Sequence, residues 1–289
     1  MADHSIPVDL FNPGQVFACL GFLEAADVLL GGAKGGFNWH DEAEPRFHIH
    51  AAGGENPVAT VLNFLARAEV KSIAPQGSKN DTRKWKIPTI HAAPEDPFPF
   101  PDPSSPATLP AILRDGDQAI TLDHWGDATT RDNVKFWAGS GGYPGAAFTQ
   151  DSLALFRDAA DTLTEDPFSF SVIQSSSFRF DWRRDYIPID AGFSPNDHQT
   201  ISMTGYPVVE LLAAIGLTHA RPQRHTKLEY RYGVAGTQHG TLLPALFHRA
   251  ALGCAALPFP HRSFRMQLGW PGQEGQARCI LDVTEEPKP

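Results

Sequence analysis

Two Asn-Pro pairs, Asn12-Pro13 and Asn56-Pro57, constrain the fold of this chain more than any other feature. An asparagine side chain can accept a hydrogen bond from the first free N–H groups of a helix, and proline is favoured at the first helical position. Each pair is followed by apolar residues at helical spacing. The sequence therefore predicts that a helix begins at each pair.

The apolar spacing gives each of these two helices a face to bury. In the first helix the apolar residues are Val16, Phe17, Leu20 and Leu23. In the second helix they are Val58, Val61, Leu62 and Leu65. Gly31-Gly32 is expected to end the first helix, and the second pattern fades near Val70. Gln15 occupies the position of a capping-box partner for Asn12.

Short strands surround the two helices. Residues 5–11 are predicted as a strand, and residues 37–39 and 46–51 as the arms of a hairpin. A final strand is expected at residues 85–90. The resulting βαββαβ order is that of the ferredoxin-like, split βαβ motif, so we predict an α+β fold.

A proline-rich stretch divides the chain. Residues 94–106 read PEDPFPFPDPSSP, which neither a helix nor a sheet interior can accommodate. We predict a ferredoxin-like unit over residues 1–92, a proline-rich loop or linker over residues 93–108, and a second α+β unit over residues 109–289. Strands and helices alternate again in this last part, which favours a second ferredoxin-like unit.

The second half has its own predicted elements. A hairpin is expected over residues 109–125, with Asp115-Gly116 at the turn. The predicted helices are 151–163, 207–217 and 242–252. The predicted strands are 168–173, 178–182, 228–232, 262–269 and 277–283.

Composition indicates a folded protein with an acidic surface. The 289 residues are 42% hydrophobic, which is enough to bury a sizeable core, and the formal net charge is -9. That charge disfavours a free-standing nucleic-acid binder but permits a subunit whose partners supply positive charge. Cys19, Cys254 and Cys279 lie far apart and outside any CxxC, so neither a disulfide scaffold nor a zinc site is indicated.

Hydropathy gives no reason to expect a membrane protein. No stretch of the sequence approaches the roughly 18 consecutive apolar residues of a membrane span, and the first residues are acidic rather than apolar. We therefore expect a cytoplasmic protein that does not associate with membranes.

A metal site is the first enzymatic interpretation. His48 and His50 are two apart in a predicted strand, so they point to one face as paired ligands would. Asp123 and His124 could add ligands from a neighbouring hairpin. This alternative makes the chain a metal-dependent hydrolase or nuclease. An HxH pair in a strand is also common on the polar face of a half-buried sheet, and HExxH is absent.

Other catalytic motifs are missing from the sequence. It has no GxSxG elbow. The glycine-rich stretches 31–36 and 139–145 match neither GxxxxGK[ST] nor GxGxxG, and they are typical of a helix cap and a loop. We name no enzyme class from the sequence, and we expect no cofactor.

Basic and aromatic residues lie together in three short groups, at residues 83–86, 179–184 and 227–232. Lysine and arginine can contact a phosphate backbone while aromatic rings stack on bases, a combination suited to single strands. The alternative for the second group is that Asp181 and Asp185 pair with the arginines and that Trp182 belongs to the core.

Three segments resemble a known family. They are VDLFNPGQVFACLGFLEAADVLLGGAKGGF near the start, FRFDWRRDYIPIDAGFSP in the middle, and YPVVELLAAIGL after it. They are similar to the small accessory subunits of CRISPR type I-U (also called I-G) systems, which are grouped with the RAMP superfamily. The resemblance implies an RRM-like ferredoxin fold and a place in or beside an RNA-guided interference complex.

The resemblance directs attention to the basic groups. It implies a non-catalytic subunit that contacts crRNA or target DNA and other CRISPR-associated subunits, because base pairing with the guide reads the sequence in such complexes. Our first candidates for phosphate contact are Arg183 and Arg184, with Trp182 and Tyr186 as stacking or packing partners. The further candidates are Lys84, Lys86, Arg231 and Tyr232.

Overall fold

The structure is a computed structural model of the chain, and part of the chain is described below. The described residues are 3–93, 105–125, 143–174, 176–183, 203–237, 240–270 and 278–287. The predicted contact residues Arg184 and Tyr186 lie outside them. Within these ranges the fold is α+β, with five α-helices and several small sheets, as the sequence predicted at this level.

The elements have the following bounds. The α-helices are α1 (Pro13–Leu30), α2 (Pro57–Arg67), α3 (Gly145–Phe156), α4 (Pro207–His219) and α5 (Ala245–Leu252). The first seven strands are β1 (Asp3–Pro7), β2 (Lys34–Asn38), β3 (Arg46–His50), β4 (Glu69–Ala74), β5 (Thr89–His91), β6 (Ala111–Asp115) and β7 (Gln118–Leu122). The others are β8 (Val172–Ile173), β9 (Thr204–Gly205), β10 (Gln223–Arg224), β11 (Glu229–Ala235), β12 (Leu243–Pro244), β13 (His261–Gly269) and β14 (Cys279–Glu285).

The strands form three four-stranded sheets and one small pair. The first sheet has the order β1-β3-β2-β12, the second β5-β4-β6-β7, and the third β10-β11-β13-β14. The small pair is β8-β9. Every named pairing is antiparallel except that of β4 with β5.

Both predicted helix starts are confirmed. The side chain of Asn56 accepts hydrogen bonds from the backbone N–H groups of Val58 and Ala59, at 2.9 and 3.3 Å. The side chain of Asn12 caps α1 in the same way, through the N–H of Gln15. The capping-box expectation for Gln15 was wrong: its side-chain oxygen accepts from the backbone N–H of Asp9 at 2.7 Å.

The βαββαβ order over the first part of the chain is present, but its last strand was misplaced. That strand is β4, which begins directly after α2 because Ala68 is already extended. The predicted strand 85–90 begins at the last residue of a 3-10 turn, Arg83–Trp85, and includes only the first two residues of the short strand β5. β4 pairs with β5 and β6 rather than with β1.

The predicted elements of the second half were partly found. Of the predicted strand 168–173 only Val172–Ile173 is a strand, and the predicted helix 151–163 begins at Gly145 and continues after Phe156 as a 3-10 helix. The predicted hairpin β6–β7 is present, but its turn is Gly116-Asp117, one residue later than predicted, because Asp115 pairs with Gln118; Gly116 at the first turn position has a φ of +58°. Residues 178–182 do not form a strand. The backbone N–H groups of Phe180 and Asp181 instead donate to the carboxylate of Glu210, each at 3.1 Å.

The core is built around the crossing of α1 and α4. A Cβ atom placed on Gly21 of α1 would lie 1.9 Å from the carbonyl oxygen of Leu212. A Cβ placed on Gly216 of α4 would lie 2.2 Å from the carbonyl oxygen of Phe17. Each glycine therefore lets the other helix's backbone approach to a distance that no larger residue allows.

The length and composition of α1 would allow it to cross a membrane, and it is the one described helix that passes this test. However, 78% of its apolar window is buried inside the protein. The core helix of a soluble protein has the same properties, so the apolar character of α1 is explained by its packing.

We predict that Gly21→Ala lowers the free energy of unfolding by about 1–3 kcal/mol, because the new methyl group would overlap the backbone of α4. Without that contact, alanine in a helix would stabilise the protein by up to about 1 kcal/mol, so the sign is informative. Urea unfolding measures the change.

The matched control for this substitution is Gly54→Ala, since no atom lies within 4 Å of a Cβ at that position. Its free energy of unfolding should change by less than about 0.5 kcal/mol. A Gly21→Ala protein that is as stable as the wild type would mean that the helices are not in close contact there.

A buried histidine connects α5 to the first sheet. His248 is 1% exposed, and its Nε2–H donates to the carbonyl oxygen of Gly35 at 2.9 Å. Its ring meets Phe37 and Phe47 edge-on, with centroids 6.1 and 6.0 Å away. Burial lowers the pKa of His248 to about 4, because the imidazolium would lose its hydration.

The depressed pKa of His248 predicts a pH-dependent stability. At pH values between 6.5, the ordinary pKa of histidine, and about 4, His248 is largely protonated in the unfolded state and largely neutral in the folded state. The free energy of unfolding should therefore fall by about 3 kcal/mol in total as the pH drops through this window. Urea unfolding at several pH values tests this against His248→Gln, whose amide can still donate to Gly35 but does not titrate. Identical pH profiles for the two proteins would contradict the assignment.

Candidate nucleic-acid interface

An exposed group of positive charge lies between β4 and β5, in residues 79–86, which we call the basic loop. Its exposed basic residues are Lys79, Arg83, Lys84 and Lys86. Asp81 is its one acidic residue, so the formal charge of the loop is positive although the whole chain is acidic. Positive charge gathered in one place is what a phosphate backbone requires.

Three hydroxyl groups hold the base of the basic loop. The oxygens of Ser72 and Thr82 lie 2.6 Å apart, and that of Thr89 lies 2.8 Å from Ser72 and 3.0 Å from Thr82. Thr82 also donates to the carbonyl oxygen of Ile87 at 3.0 Å. Since Ser72 is on β4 and Thr89 on β5, the loop is fixed to the second sheet at both ends.

The lysines at the tip of the loop are presented to solvent. Arg83 pairs with Asp81 at 2.6 Å, and its hydrogen bonds lower the pKa of that carboxyl group. The ammonium of Lys84 lies 5.3 Å from the ring centroid of Trp85. Lys86 has a φ of +61° and donates its N–H to Arg83. Among the described residues, neither lysine forms an ion pair with a carboxylate.

Trp85 connects the basic loop to α3. Its ring meets Tyr143 edge-on, with centroids 6.2 Å apart, and the hydroxyl of Tyr143 donates to Asp151 at 2.8 Å. Burial and the nearby carboxylate of Asp151 raise the pKa of Tyr143 to about 12. Trp85 itself is half-buried, so it keeps part of its surface for a ligand while the contact with Tyr143 fixes its position.

In the second predicted group, Arg183 is engaged in the structure. Its guanidinium contacts the Asp181 carboxylate at 2.6 Å and donates to the carbonyl oxygen of Phe168 at 2.8 Å. It also lies 3.7 Å from the ring centroid of Tyr206. Asp181 is buried and accepts a further hydrogen bond from Asn12 at 2.9 Å. The pairing with Asp181 was the structural alternative for this residue, and it is present.

The rest of the second group is only partly described. Trp182 is 36% exposed, so its ring is accessible to a ligand. The backbone bonds of Phe180 and Asp181 to Glu210 tie this segment to α4. Asp181, to which Arg183 is paired, therefore connects the start of α1 through Asn12 with the first turn of α4 through Glu210.

The third predicted group separates into an inner and an outer residue. Tyr232 is fully buried, stacks on Phe264 with centroids 5.2 Å apart, and donates its hydroxyl to the carbonyl oxygen of Leu10 at 2.8 Å. It cannot stack on a base, so its proposed role was wrong. Alternation along β11 places Arg231 on the opposite face, where it pairs with Glu286.

The four residues of the alternative metal site are not brought together. His48 and His50 lie on β3 in the first sheet, whereas Asp123 and His124 follow β7 in the second. His124 is buried against Trp125, with ring centroids 4.6 Å apart. In the described part of the chain, no group of three or more His, Cys, Asp or Glu residues could hold a metal ion. His48, His50, Asp123 and His124 therefore do not form the predicted metal site.

Sequence reasoning missed a cleft of about 580 Å³ beside Arg183. Its acidic residues are Asp9, Glu42, Glu44 and Asp166, and its basic residues are Arg46, Arg183 and Arg262. Arg183 and Arg262 are already paired with Asp181 and Glu285. Negative charge predominates, so the cleft does not suit a phosphate backbone. The acidic turn at residues 41–44 was the one signal of it in the sequence.

Comparison with known proteins gives no assignment: no family model, no curated protein and no solved structure matches the chain. Its function is therefore inferred from its residues and their geometry.

We predict that Arg183→Gln lowers the free energy of unfolding by about 2–3 kcal/mol, because it leaves the buried carboxylate of Asp181 without its counter-charge. The control is Arg67→Gln, which breaks the exposed pair with Asp115 and should cost less than about 1 kcal/mol. Urea unfolding distinguishes the two. Equal, small changes would mean that Arg183 is not a structural residue and is available to a ligand.

Proposed function

We propose that this chain is a non-catalytic subunit of a CRISPR type I-U (I-G) RNA-guided interference complex, in which it contacts the backbone of crRNA or target DNA and other subunits. The observation that carries the proposal is the exposed basic loop with Lys84, Trp85 and Lys86. The resemblance of three sequence segments to accessory subunits of these systems supplies the class of assembly.

The chemistry of the loop suits a single strand. Two lysines without a carboxylate partner among the described residues can each neutralise one phosphate, and the half-buried ring of Trp85 lies beside them for stacking. Such a site gives little sequence preference, which is what a subunit needs when the guide reads the sequence. Trp182 adds a second accessible ring.

The proposal includes the finer fold assignment, that of two ferredoxin-like, RRM- and RAMP-like units joined by the proline-rich segment. It is supported by the βαββαβ order of β1 to β4 and by the antiparallel neighbours β1, β3 and β2. The order β9-α4-β10-β11-α5-β13, with β12 inserted, supports the second unit. In each unit one strand lies in another sheet, β4 in the first and β9 in the second.

The acidic balance fits a peripheral subunit. A formal charge of -9 opposes the wrapping of a long nucleic acid around this chain alone. We therefore assign this chain a local contact, and we expect partner subunits to bind most of the nucleic-acid backbone. Such complexes act in the cytoplasm, and we propose that location for this protein.

Co-purification tests the assembly. We expect the tagged chain, expressed with the proteins encoded beside it, to recover other CRISPR-associated subunits together with repeat-derived RNA. Mass spectrometry and RNA sequencing identify them. Recovery of the chain alone, without RNA, would remove the proposal.

The contact itself is tested with Lys84→Gln/Lys86→Gln. If each lysine neutralises one phosphate, the slope of log affinity against log salt concentration for single-stranded RNA should fall by about 1.4 in magnitude. The control Lys34→Gln/Arg67→Gln removes the same charge elsewhere on the surface and should leave the slope unchanged. Equal slopes for the two variants would show that only net charge matters.

A further inference from the structure

Two arginines face each other on the third sheet. Arg231 on β11 lies directly opposite Arg265 on β13 in the antiparallel register. Like charges in this position repel each other, so the pair needs an anion nearby. The neighbours in register on the same face are Gly233 and Ser263, whereas the alternating residues Tyr230, Tyr232 and Val234 of β11 point to the core.

Glu286 is the anion that both arginines share. Its carboxylate pairs with Arg231, and with Arg265 at 3.1 Å. Glu229 adds a second pair to Arg265 at 3.0 Å. Burial alone would raise the pKa of Glu286, but the hydrogen bonds and charges of Arg231 and Arg265 outweigh it and lower that pKa. The carboxylate is thus held ionised between two guanidinium groups.

Glu286 is placed there by the backbone just beyond β14. Its N–H donates to the carbonyl oxygen of Ser263 at 2.8 Å, outside the regular pairing of β13 with β14. One residue earlier, Glu285 pairs with a different arginine, Arg262. The two neighbouring carboxylates therefore pair with different arginines, so each can be substituted without removing the other's ion pair.

A cavity of about 170 Å³ adjoins Glu286 and Arg231. Its other lining residues with polar side chains are Cys254, His261 and Ser263, and the segment after α5 closes one side. Gly233 brings the last turn of α5 close, since a Cβ there would lie 2.4 Å from the carbonyl oxygen of Ala251. The cavity offers hydrogen-bond donors beside the guanidinium of Arg231, and Arg265 reaches it through Glu286, which lines the cavity and pairs with Arg265.

We propose that this cavity is a binding site for a phosphate group, and that the carboxylate of Glu286 occupies its anion position in the free chain. A guanidinium fork matches a phosphate as well as it matches a carboxylate, so a phosphate can replace Glu286 between Arg231 and Arg265. Ser263 lies within the same cavity to complete the contact. The proposed function supplies one source of that phosphate, a nucleic-acid backbone.

The arrangement makes Glu286 a competitor of the ligand. While it stays between the arginines, the site is neutral and phosphate binding is weak. Movement of the segment after β14 would remove the one carboxylate that both arginines contact and leave Arg265 with its pair to Glu229, so the site would gain one net positive charge.

The test uses Glu286→Gln and, as a second variant that also clears space, Glu286→Ala. Both should bind inorganic phosphate at least about tenfold more tightly than the wild type, because a negative charge beside the site is removed. The control Glu285→Gln changes the net charge equally but touches Arg262, and it should stay within about twofold of the wild type. Isothermal titration with phosphate at fixed ionic strength measures these affinities.

Adding Arg231→Gln to Glu286→Gln should remove the gain. Equal gains for the Glu286 and Glu285 variants, or a gain that survives Arg231→Gln, would overturn the site. Circular dichroism and the urea midpoint confirm that each variant is folded before titration.

Single-stranded RNA in the same titration separates the two sources of phosphate. If RNA affinity rises with phosphate affinity in the Glu286 variants, the site binds a nucleic-acid backbone. If only phosphate affinity rises, the site stands but its ligand is a free phosphate or a small phosphate ester. If RNA binds through the basic loop and neither affinity responds to Glu286, the site is refuted while the proposed function stands.

Discussion

The close crossing of α1 and α4 is the contact on which the rest of the molecule depends. Gly21 and Gly216 bring the two backbones together, so the helices form one unit to which the sheets attach. The starts of both helices are then tied by polar groups to one segment of the chain. Asn12 at the start of α1 and Glu210 in the first turn of α4 hold the segment of Asp181 from two sides. Apolar packing sets the distance between the helices, and buried hydrogen bonds set their alignment.

Local signals were the ones that the sequence allowed us to interpret correctly. Helix starts depend on a cap and a proline within a few residues, so Asn12 and Asn56 were sufficient to place α1 and α2. The turn at Gly116 is equally local. The prediction of a strand at residues 178–182 was wrong because the N–H groups of Phe180 and Asp181 bond to Glu210, about thirty residues further along the chain. No pattern within a short window carries such a partner.

The candidate site was predictable to a similar degree. The grouping of Lys84, Trp85 and Lys86 is a property of consecutive residues and could be seen directly. Strand alternation places Tyr232 and Arg231 on different faces of β11, which the sequence could show. Which of the two faces is buried depends on the packing of Tyr232 against Phe17 and Phe264, which the sequence could not show. The pairing of Arg231 with Glu286 joins residues 55 positions apart, and the acidic cleft joins segments still further apart. Neither could be assembled without the fold.

The left-handed backbone of Lys86 distinguishes the basic loop from an ordinary surface turn. A residue with a Cβ at a φ of +61° carries roughly 1–2 kcal/mol of strain that glycine would avoid. The hydroxyl network of Ser72, Thr82 and Thr89 is strong enough to hold it there. The loop thus keeps the side chain of Lys86 at a position whose backbone conformation favours glycine. Its direction is fixed before any ligand arrives, so little of the loop's conformational freedom is left to be lost on binding.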